Sequence, residues 1–392
     1  MTAAREHAGD QLIARRARQI EPFLAVEVFE RAQELERRGI DVIQLVFGEP
    51  DFETPAVIQE AALRAFKDGR TKYTASLGIL PLREAIAEHY QTTYGVRVSP
   101  EQVLVTPGTS PALLLLITGL LDPGDQVILS DPHYACYPNF VRYAEGEPVS
   151  VNVYEEDGFQ YRPEAIRGRL TQRVKAIMIN SPANPTGTCL SHERMAAVAE
   201  LGPWIISDEI YHGLSYAGRD HTILEYTDRA FVLNGFSKAF AMTGWRLGYL
   251  IAPKPFVRPL QKAFQNFFIS TCDFVQWAGV AALQEAGGEV LRFRRIFDER
   301  RRATIAGLRE AGLGVGYEPT GAFYVLANAR RYTQKSLDFA FEILENAHVG
   351  VTPGIDFGLN AEGYLRVSYA NSLDRILEGV RRIGKFLGSL GR

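Results

Sequence analysis

The hydrophobic residues of this chain follow a pattern that is typical of an α/β protein. Short, continuous apolar runs recur from about residue 100 onward, and stretches long enough for helices separate them. The runs are QVLVT at 102–106, QVILS at 126–130, VKAIMIN at 174–180, WIIS at 204–207 and AFVLN at 230–234. Because a strand that is buried on both faces reads as a continuous apolar run, this alternation predicts a mostly parallel sheet between layers of helices.

The length and the change of pattern along the chain predict two domains. A chain of 392 residues exceeds what one hydrophobic core usually serves. After residue 287 the sequence becomes charged, which predicts a long solvated helix, and a second α+β section follows. We therefore predict a large domain at residues 49–287 and a smaller domain assembled from residues 1–48 and 288–392. Its polar, Arg-rich start at residues 1–20 is interpreted as an N-terminal arm that is mobile or forms an exposed helix.

Composition and charge narrow the class of protein. A hydrophobic content of 46% and a charged content of 23% are ordinary for a folded soluble chain. The net charge of −3 gives no broad attraction to nucleic acid or anionic lipid. The longest apolar run, at residues 111–121, is about half the roughly 20 residues that a membrane span needs. Since no apolar signal segment follows the N-terminal arginines, we expect a cytoplasmic protein.

The cysteines do not predict a disulfide framework or a metal site. Cys136, Cys189 and Cys272 are odd in number, widely separated and without CxxC spacing. We expect each to be a small buried or half-buried residue, and we predict no metal.

Polar residues that can bind a ligand directly follow the predicted strands. In open parallel sheets, ligands bind beyond the carboxyl ends of the strands. After the first run, Gly108, Thr109 and Ser110 begin a helix whose free N–H groups and hydroxyls can bind phosphate. The other runs lead to Tyr134, Asn184, Asp208, Tyr211, Lys238 and Arg246. Taken alone, each of these features has an ordinary structural explanation as a helix cap, a packed ring or a turn. Because they converge on one edge of the sheet, together they indicate a binding site.

This set of residues suits pyridoxal phosphate as a cofactor. That cofactor needs a lysine to form an imine, an anion beside its pyridine nitrogen, donors to its ring oxygen and a phosphate anchor. Lys238 would hold it as a Schiff base, and Asp208 would pair with the protonated ring nitrogen. Tyr211 and Asn184 would donate to the ring oxygen, and Tyr134 would stack on the ring. The predicted phosphate contacts are Gly108, Thr109, Ser110, Ser237 and Arg246.

Six segments of the chain resemble the class I/II aminotransferases of fold type I, the aspartate aminotransferase superfamily. They are VFGEPDFETP at 46–55, KYTASLGILPLREAI at 72–86, NSPANPTG at 180–187, SDEIYHG at 207–213, NGFSKAFAMTGWRLGY at 234–249 and LRVSYA at 365–370. The resemblance covers about residues 20–390. It implies a large domain with a mostly parallel, seven-stranded type of sheet and a smaller α+β domain. It also implies an aminotransferase that moves the α-amino group of an L-amino acid to a 2-oxo acid in two half-reactions.

The resemblance implies further roles for individual residues. Arg366 matches the arginine that binds the substrate α-carboxylate, a task suited to a bidentate guanidinium. Gly48 matches a backbone contact near that carboxylate, and Asn184 also belongs to the substrate-binding set. Tyr73 matches a tyrosine that reaches the cofactor phosphate of the neighbouring subunit, which implies a homodimer with shared active sites.

This chain departs from the family pattern at two places. Gly235 stands where family members often have a serine that contacts the phosphate. The turn Thr109-Ser110-Pro111 lacks a lysine found in some dicarboxylate-specific relatives, which puts aspartate specificity in doubt. Four aromatic residues are explained equally well as a substrate side-chain pocket or as core packing. They are Phe264, Phe267, Phe268 and Tyr324.

Three other functions remain as alternatives. The nearest is another reaction on the same scaffold, such as a pyridoxal-phosphate lyase that cleaves C–S bonds by β-elimination. A regulatory binding protein is more remote, because no helix-turn-helix or basic segment precedes the core. A nicotinamide dehydrogenase is weaker still, because no GxGxxG motif follows a strand.

Overall fold

A computed structural model describes residues 13–391 of the chain. Within this range the strands form a sheet of seven, a sheet of three and a pair. The strands are β1 (Ile43–Gln44), β2 (Val103–Thr106), β3 (Gln126–Asp131), β4 (Glu147–Asn152), β5 (Val174–Asn180), β6 (Trp204–Asp208), β7 (Ala230–Gly235), β8 (Gly248–Ile251), β9 (Tyr324–Asn328), β10 (Val349–Gly350), β11 (Thr352–Pro353) and β12 (Tyr364–Ser368). The α-helices in the same range are α1 (Arg15–Arg18), α2 (Leu24–Arg37), α3 (Ala56–Lys67), α4 (Leu80–Tyr94), α5 (Thr109–Leu120), α6 (Tyr137–Tyr143), α7 (Pro163–Arg167), α8 (His192–Ala199), α9 (Lys254–Phe267), α10 (Asp273–Glu285), α11 (Gly287–Glu310), α12 (Ser336–Ala347) and α13 (Leu373–Ser389).

The seven-stranded sheet has the order β2-β8-β7-β6-β5-β3-β4. Among the described residues, β8 is the one strand of this sheet that runs antiparallel to its neighbours. The prediction of a mostly parallel sheet between helices is therefore confirmed, and so is its seven-stranded type. The apolar runs did not indicate β4 and β8. Strand β4 lies at the sheet edge with only Val151 fully buried, and β8 is a four-residue strand that begins with glycine.

Both faces of this sheet are buried, which explains the continuous apolar runs. Neighbouring residues of one strand, such as Ile205 and Ile206, belong to two different hydrophobic clusters on opposite sides of the sheet. Helices α5 and α9 contribute Leu116 and Phe264 to one of these clusters. With helices on both faces, the polar residues at the carboxyl ends of the strands are the ones that remain available to a ligand.

The three-stranded sheet and the strand pair are built from residues near the two ends of the described sequence. Strand β12 pairs antiparallel with β11 and β9, while β1 pairs parallel with β10 and thus joins the N-terminal part to the C-terminal part. Helix α11 begins at Gly287, next to the predicted boundary. One side of this helix is exposed to solvent. Phe293, Phe297 and Ile305 lie on the other side and are buried, so the prediction of a solvated helix is wrong for that side. The domain division itself stays a prediction.

The structure also bears on the predicted N-terminal arm and on the expected burial of the cysteines. Helix α1 is exposed, and the first twelve residues of the predicted arm lie outside the described range. Cys136 and Cys189 are half-buried, but Cys272 is exposed in the loop position directly before α10, so the expectation of burial is wrong for that residue. No helix between residues 13 and 391 is long and apolar enough to cross a membrane.

Candidate active site

One cavity of about 360 Å³ at the carboxyl ends of the parallel strands collects most of the predicted site residues. This volume is within the usual range of small-molecule sites. The predicted residues that line it are Gly48, Thr109, Ser110, Tyr134, Asn184, Asp208, Tyr211, Ser237, Lys238, Arg246 and Arg366. For most of them the convergence follows from the seven-stranded sheet, because its strands end at the same edge, whereas Gly48 and Arg366 come from segments outside that sheet.

Lys238 lies in the loop after β7 and is half-buried. Its Nζ donates a hydrogen bond to the backbone oxygen of Gly48, at 2.6 Å. Burial lowers the pKa of Lys238 to about 8, against the opposing effect of Glu49, while Arg366 and Arg246 lower it further. A buried amine with a lowered pKa is more often neutral near neutral pH and hence more nucleophilic.

Asp208 is the last residue of β6 and its carboxylate lies inside the cavity. Its Oδ2 accepts a hydrogen bond from the hydroxyl of Tyr137 at 2.7 Å, and its Oδ1 accepts one from the backbone N–H of Ile210 at 3.2 Å. Burial raises the pKa of Asp208 to about 6. Because no Lys or Arg within residues 13–391 forms an ion pair with it, this carboxylate suits a cationic ligand group such as a protonated ring nitrogen.

The start of α5 and Arg246 form a compact anion-binding corner. Gly108 precedes the helix at φ 99°, and a Cβ there would lie 2.6 Å from Nη2 of Arg246. Gly108 therefore lies beneath the guanidinium rather than in the cavity lining. Arg246 has φ 53°, a left-handed conformation that is costly for this residue type and that holds it beside the helix N-terminus. Helix amides together with a guanidinium are suited to bind a phosphate.

Gly235, where the family pattern often has serine, is closely packed. It pairs with Gly248 across β7 and β8. A Cβ at Gly235 would lie 2.9 Å from the Cα of Gly248, so a side chain has no room here. The departure from the family pattern thus has a steric reason in this chain.

Arg366 on β12 is almost completely buried, with 2% of its surface exposed. Its Nη1 donates to Oδ1 of Asn184 at 2.9 Å, and its Nη2 donates to Oγ1 of Thr352 at 3.0 Å. The rings of Tyr324 and Phe357 lie 4.6 and 4.8 Å from its guanidinium carbon. Its Nε is buried and has no hydrogen-bond partner within the described chain, which leaves one donor for a ligand.

Tyr211 and Gly48 meet at Tyr324. The hydroxyls of Tyr211 and Tyr324 are 2.9 Å apart, so Tyr211 has a protein partner in addition to any ligand. A Cβ at Gly48 would lie only 1.5 Å from the hydroxyl oxygen of Tyr324, which requires glycine at this position. Tyr134 contacts Tyr137 edge to face, with ring centres 5.2 Å apart.

Besides Gly108, four residues with expected or possible roles lie outside this cavity. Tyr73 is 81% exposed and away from the lining, so this chain alone does not bring it to the site. Phe264 is fully buried in the core, Phe268 packs against the same core and Phe267 is 69% exposed. Core packing and surface exposure therefore explain these three phenylalanines, while Tyr324 does line the cavity.

Several residues that line the cavity were not predicted from the ends of the strands. Asn180 ends β5 directly and could have been found by the same rule. Tyr137 begins α6, three residues after Tyr134, but nothing in the sequence indicated its bond to Asp208. The remaining missed residues are Phe23, Phe47, Glu49, Ile210 and Thr243. Within residues 13–391, no cluster of His, Cys, Asp or Glu could hold a metal ion.

Comparison with known proteins agrees with this geometry. Residues 40–383 match the family model described as aminotransferase class I and II. The chain is 37% identical over 380 residues to the (5-formylfuran-3-yl)methyl phosphate transaminase of Methanocaldococcus jannaschii, covering 96% of this chain and 100% of that protein. It is 39% identical over 384 residues to the aspartate/prephenate aminotransferase of Thermus thermophilus, covering 96% and 99%. The solved structure of aspartate aminotransferase from Thermus thermophilus with maleate superposes with a TM-score of 0.91 at 39% identity, covering 95% of this chain and 99% of that one.

Proposed function

This chain belongs to the class I and II aminotransferases, which depend on pyridoxal phosphate, and we propose that Lys238, Asp208 and Tyr211 are its catalytic residues. The protein is an aminotransferase that moves the α-amino group of an L-amino acid to a 2-oxo acid. When bound, pyridoxal phosphate supplies a conjugated ring that accepts the electron pair left on the substrate Cα. The observation that carries the proposal is one cavity that contains a half-buried lysine and a buried carboxylate, which forms no ion pair with a Lys or Arg of residues 13–391.

Lys238 is proposed to move the proton of the reaction. With its pKa lowered by burial, Nζ would take the proton from the substrate Cα and return it to the cofactor carbon that is bound to the amino nitrogen. Gly48 accepts a hydrogen bond from Nζ and keeps the amine on the substrate side of the cavity.

The other residues are proposed to hold and orient the reactants. Asp208 holds a positive charge on the ring nitrogen, and Tyr137 keeps the carboxylate oriented through its hydroxyl. Tyr211 and Asn184 donate to the ring oxygen, and Tyr134 covers one face of the ring. The phosphate contacts are proposed to be Gly108, Thr109, Ser110, Ser237 and Arg246.

Arg366 is proposed to bind the substrate α-carboxylate, and this leads to a first prediction. Arg366→Lys keeps the charge but loses the planar fork, and hydrogen bonds to charged groups contribute about 1.5–3 kcal/mol. We expect kcat/KM to fall about 10- to 100-fold, mostly through KM, with the cofactor absorbance unchanged. Arg330→Lys is the matched control, because Arg330 also lies over a tyrosine ring, 4.7 Å from the centre of Tyr364, but outside the cavity. Equal loss in both variants would contradict the assignment.

We also propose a homodimer with shared active sites. Five exposed apolar side chains support this. Two of them lie on α3, and two lie at the end of α9 and in the loop that joins α9 to α10. The five side chains are Leu63, Phe66, Tyr73, Phe267 and Ile269. Phe66 contacts Phe274, and the backbone N–H of Thr74 donates to Ser270 at 3.2 Å, so the two segments are adjacent. Exposed apolar side chains on adjacent segments are typical of an interface.

A second prediction tests this dimer. The mass in solution is expected to be twice 43.7 kDa by analytical ultracentrifugation. Tyr73→Phe should weaken cofactor binding to the apoprotein about tenfold, because one hydrogen bond to a charged phosphate is lost. Tyr154→Phe, at a residue 39% exposed, is the control and should leave the affinity unchanged. A monomer, or unchanged affinity in the Tyr73 variant, would exclude a shared site.

The reaction class has a direct test. The holoenzyme is incubated with a panel of L-amino acids and either 2-oxoglutarate or pyruvate, and 2-oxo acid and ammonia are both measured. Transamination forms the new 2-oxo acid and the new amino acid in equal amounts without ammonia. Release of ammonia in proportion to 2-oxo acid would instead favour β-elimination, which the relatives do not favour. The cytoplasmic location and the domain division at residues 49–287 stay predictions.

A further inference from the structure

The loop that carries Lys238 and Arg246 contains two residues in costly backbone conformations. Ala241 has φ 52° and Arg246 has φ 53°, and both lie in the left-handed region, which is unfavourable for residues with a Cβ. Such conformations persist only where the surrounding structure fixes them. The hydrogen bond from Nη1 of Arg246 to the backbone oxygen of Thr243, at 2.9 Å, lies within the loop itself. A contact from outside the loop is therefore needed to fix its position.

Thr54 supplies such a contact at two points of the loop. Its Oγ1 donates a hydrogen bond to the backbone oxygen of Ala241 at 2.6 Å and accepts one from Nε1 of Trp245 at 3.0 Å. Ala241 is one of the two left-handed residues, and Trp245 directly precedes the other. Thr54 is half-buried and lies outside the cavity lining. Its hydroxyl therefore acts on the loop and not on a ligand.

The segment that carries Thr54 is itself anchored on helix α11. The carboxylate of Asp51 accepts two hydrogen bonds from the guanidinium of Arg300, at 2.6 and 2.9 Å, in the bidentate geometry that fixes both side chains. The ring of Phe52 stacks on that of Phe293, with centres 4.2 Å apart and planes inclined by 2°. Because neither contact involves the loop, Thr54 is held on a support that does not depend on the loop conformation.

The position of Arg246 depends closely on the loop conformation. Its guanidinium packs directly against the backbone that begins α5, since a Cβ at Gly108 would lie 2.6 Å from Nη2. A change of φ at Ala241 or at Arg246 itself would turn the side chain away from the free N–H groups of that helix. The phosphate corner is therefore complete only while both left-handed residues keep their conformation.

We propose that Thr54 is a positioning residue for the cofactor, whose two hydrogen bonds hold the loop so that Arg246 stays beside the start of α5 and contacts the phosphate. The inference rests on the proposed function, which assigns Arg246 to the cofactor phosphate. It adds a residue that neither the strand ends nor the cavity lining indicates. Without the hydroxyl, Ala241 and Trp245 lose their partners and the loop occupies the binding conformation for a smaller fraction of the time. The apparent affinity for the phosphate falls by that fraction.

The test compares pyridoxal phosphate with pyridoxal, which lacks the phosphate, as ligands of the apoprotein. Both dissociation constants are measured by titration of the visible imine absorbance, and the Kd of pyridoxal divided by that of pyridoxal phosphate reports the phosphate contacts alone. Thr54→Val keeps the shape and removes the hydroxyl, so this ratio should fall about tenfold through loss of two hydrogen bonds. Thr54→Ser keeps the hydroxyl and should stay within about threefold of the wild type. In an Arg246→Ala background, Thr54→Val should change the ratio less than about twofold, because no guanidinium is left to position.

Thr171→Val is the matched control. The hydroxyl of Thr171 likewise donates one hydrogen bond, to Oε1 of Gln126 at 2.8 Å, and accepts one, from the backbone N–H of Arg173 at 3.2 Å. Gln126 begins β3, so this threonine lies at the opposite end of the strands from the cavity, and its loss should leave the ratio unchanged. Trp245→Phe removes one of the two bonds from the loop side and should lower the ratio about threefold. This variant keeps the test decisive if Thr54→Val does not fold.

The inference is overturned if the ratio is unchanged in Thr54→Val, or if it falls as far in Thr54→Ser or Thr171→Val. Equal loss of affinity for pyridoxal and pyridoxal phosphate would also overturn it, because Thr54 would then support the fold without acting on the phosphate contact. A full effect of Thr54→Val in the Arg246→Ala background would exclude Arg246 as the residue that is positioned. If the wild-type apoprotein does not bind pyridoxal phosphate at all, the proposed function fails instead.

Discussion

Lys238→Ala is expected to lower kcat by at least about 10⁴-fold, the upper range for loss of one acid–base group. The loss is large because the same amine is proposed to bind the cofactor and to carry the proton, and no neighbouring lysine lines the cavity in the described chain. The visible absorbance of the covalently held cofactor should disappear, while the protein stays folded, since a methyl group is tolerated at a site open to the cavity.

Lys385→Ala is the control for this variant. Lys385 is exposed on α13 and far from the cavity lining, so its loss should leave both kcat and absorbance at the wild-type level. Turnover by Lys238→Ala within tenfold of the wild type would remove residue 238 from the mechanism.

Asp208→Asn is expected to cause the second large loss of kcat. The substitution keeps the shape of the side chain and an acceptor for Tyr137, but removes the charge that is proposed to hold the ring nitrogen protonated. At about 4 Å and an effective dielectric constant of about 20, a pair of unit charges contributes about 4 kcal/mol. We expect kcat to fall about 10³-fold, since each 1.36 kcal/mol corresponds to about a factor of ten.

The cofactor should stay attached to Lys238 in the Asp208→Asn variant, so the loss would lie in kcat rather than in occupancy. Asp208→Glu should recover part of the activity, because it restores the charge in a displaced position. Asp228→Asn is the control, at an exposed aspartate in the turn before β7. A kcat within threefold of the wild type in Asp208→Asn would show that the ring nitrogen needs no anion at this position.

The sequence predicted the central sheet and its binding edge because both depend on local patterns. A strand buried on both faces is apolar throughout, and the residue that follows it lies at the sheet edge whatever its identity. Asp208 and Lys238 were found in this way, and the cavity brings them together. Strand β4 was missed because its position at the sheet edge leaves most of its residues partly exposed.

The missed site residues depend on contacts between distant segments. Phe23 reaches the cavity only because Asn139 and Asp356 fix the chain on either side of it, through residues 118 and more than 330 positions away. Likewise, the hydrogen bond that the Tyr137 hydroxyl donates to Asp208 joins residues 71 positions apart. No spacing rule connects such pairs, so local patterns alone could not reveal them. The role proposed for Tyr73 does not follow from contacts within one chain, because the cofactor phosphate that it would contact is bound by a second copy of the chain.

The covalent position of the cofactor is measured directly by reductive labelling. Holoenzyme is treated with sodium borohydride, which fixes a cofactor–lysine imine as a stable secondary amine, and the protein is digested and mapped by mass spectrometry. We expect one pyridoxyl-phosphate group per chain, carried by Lys238, with Lys385 and the other lysines unmodified. A label on a different lysine, or an unmodified Lys238 in protein that turns over, would contradict this assignment.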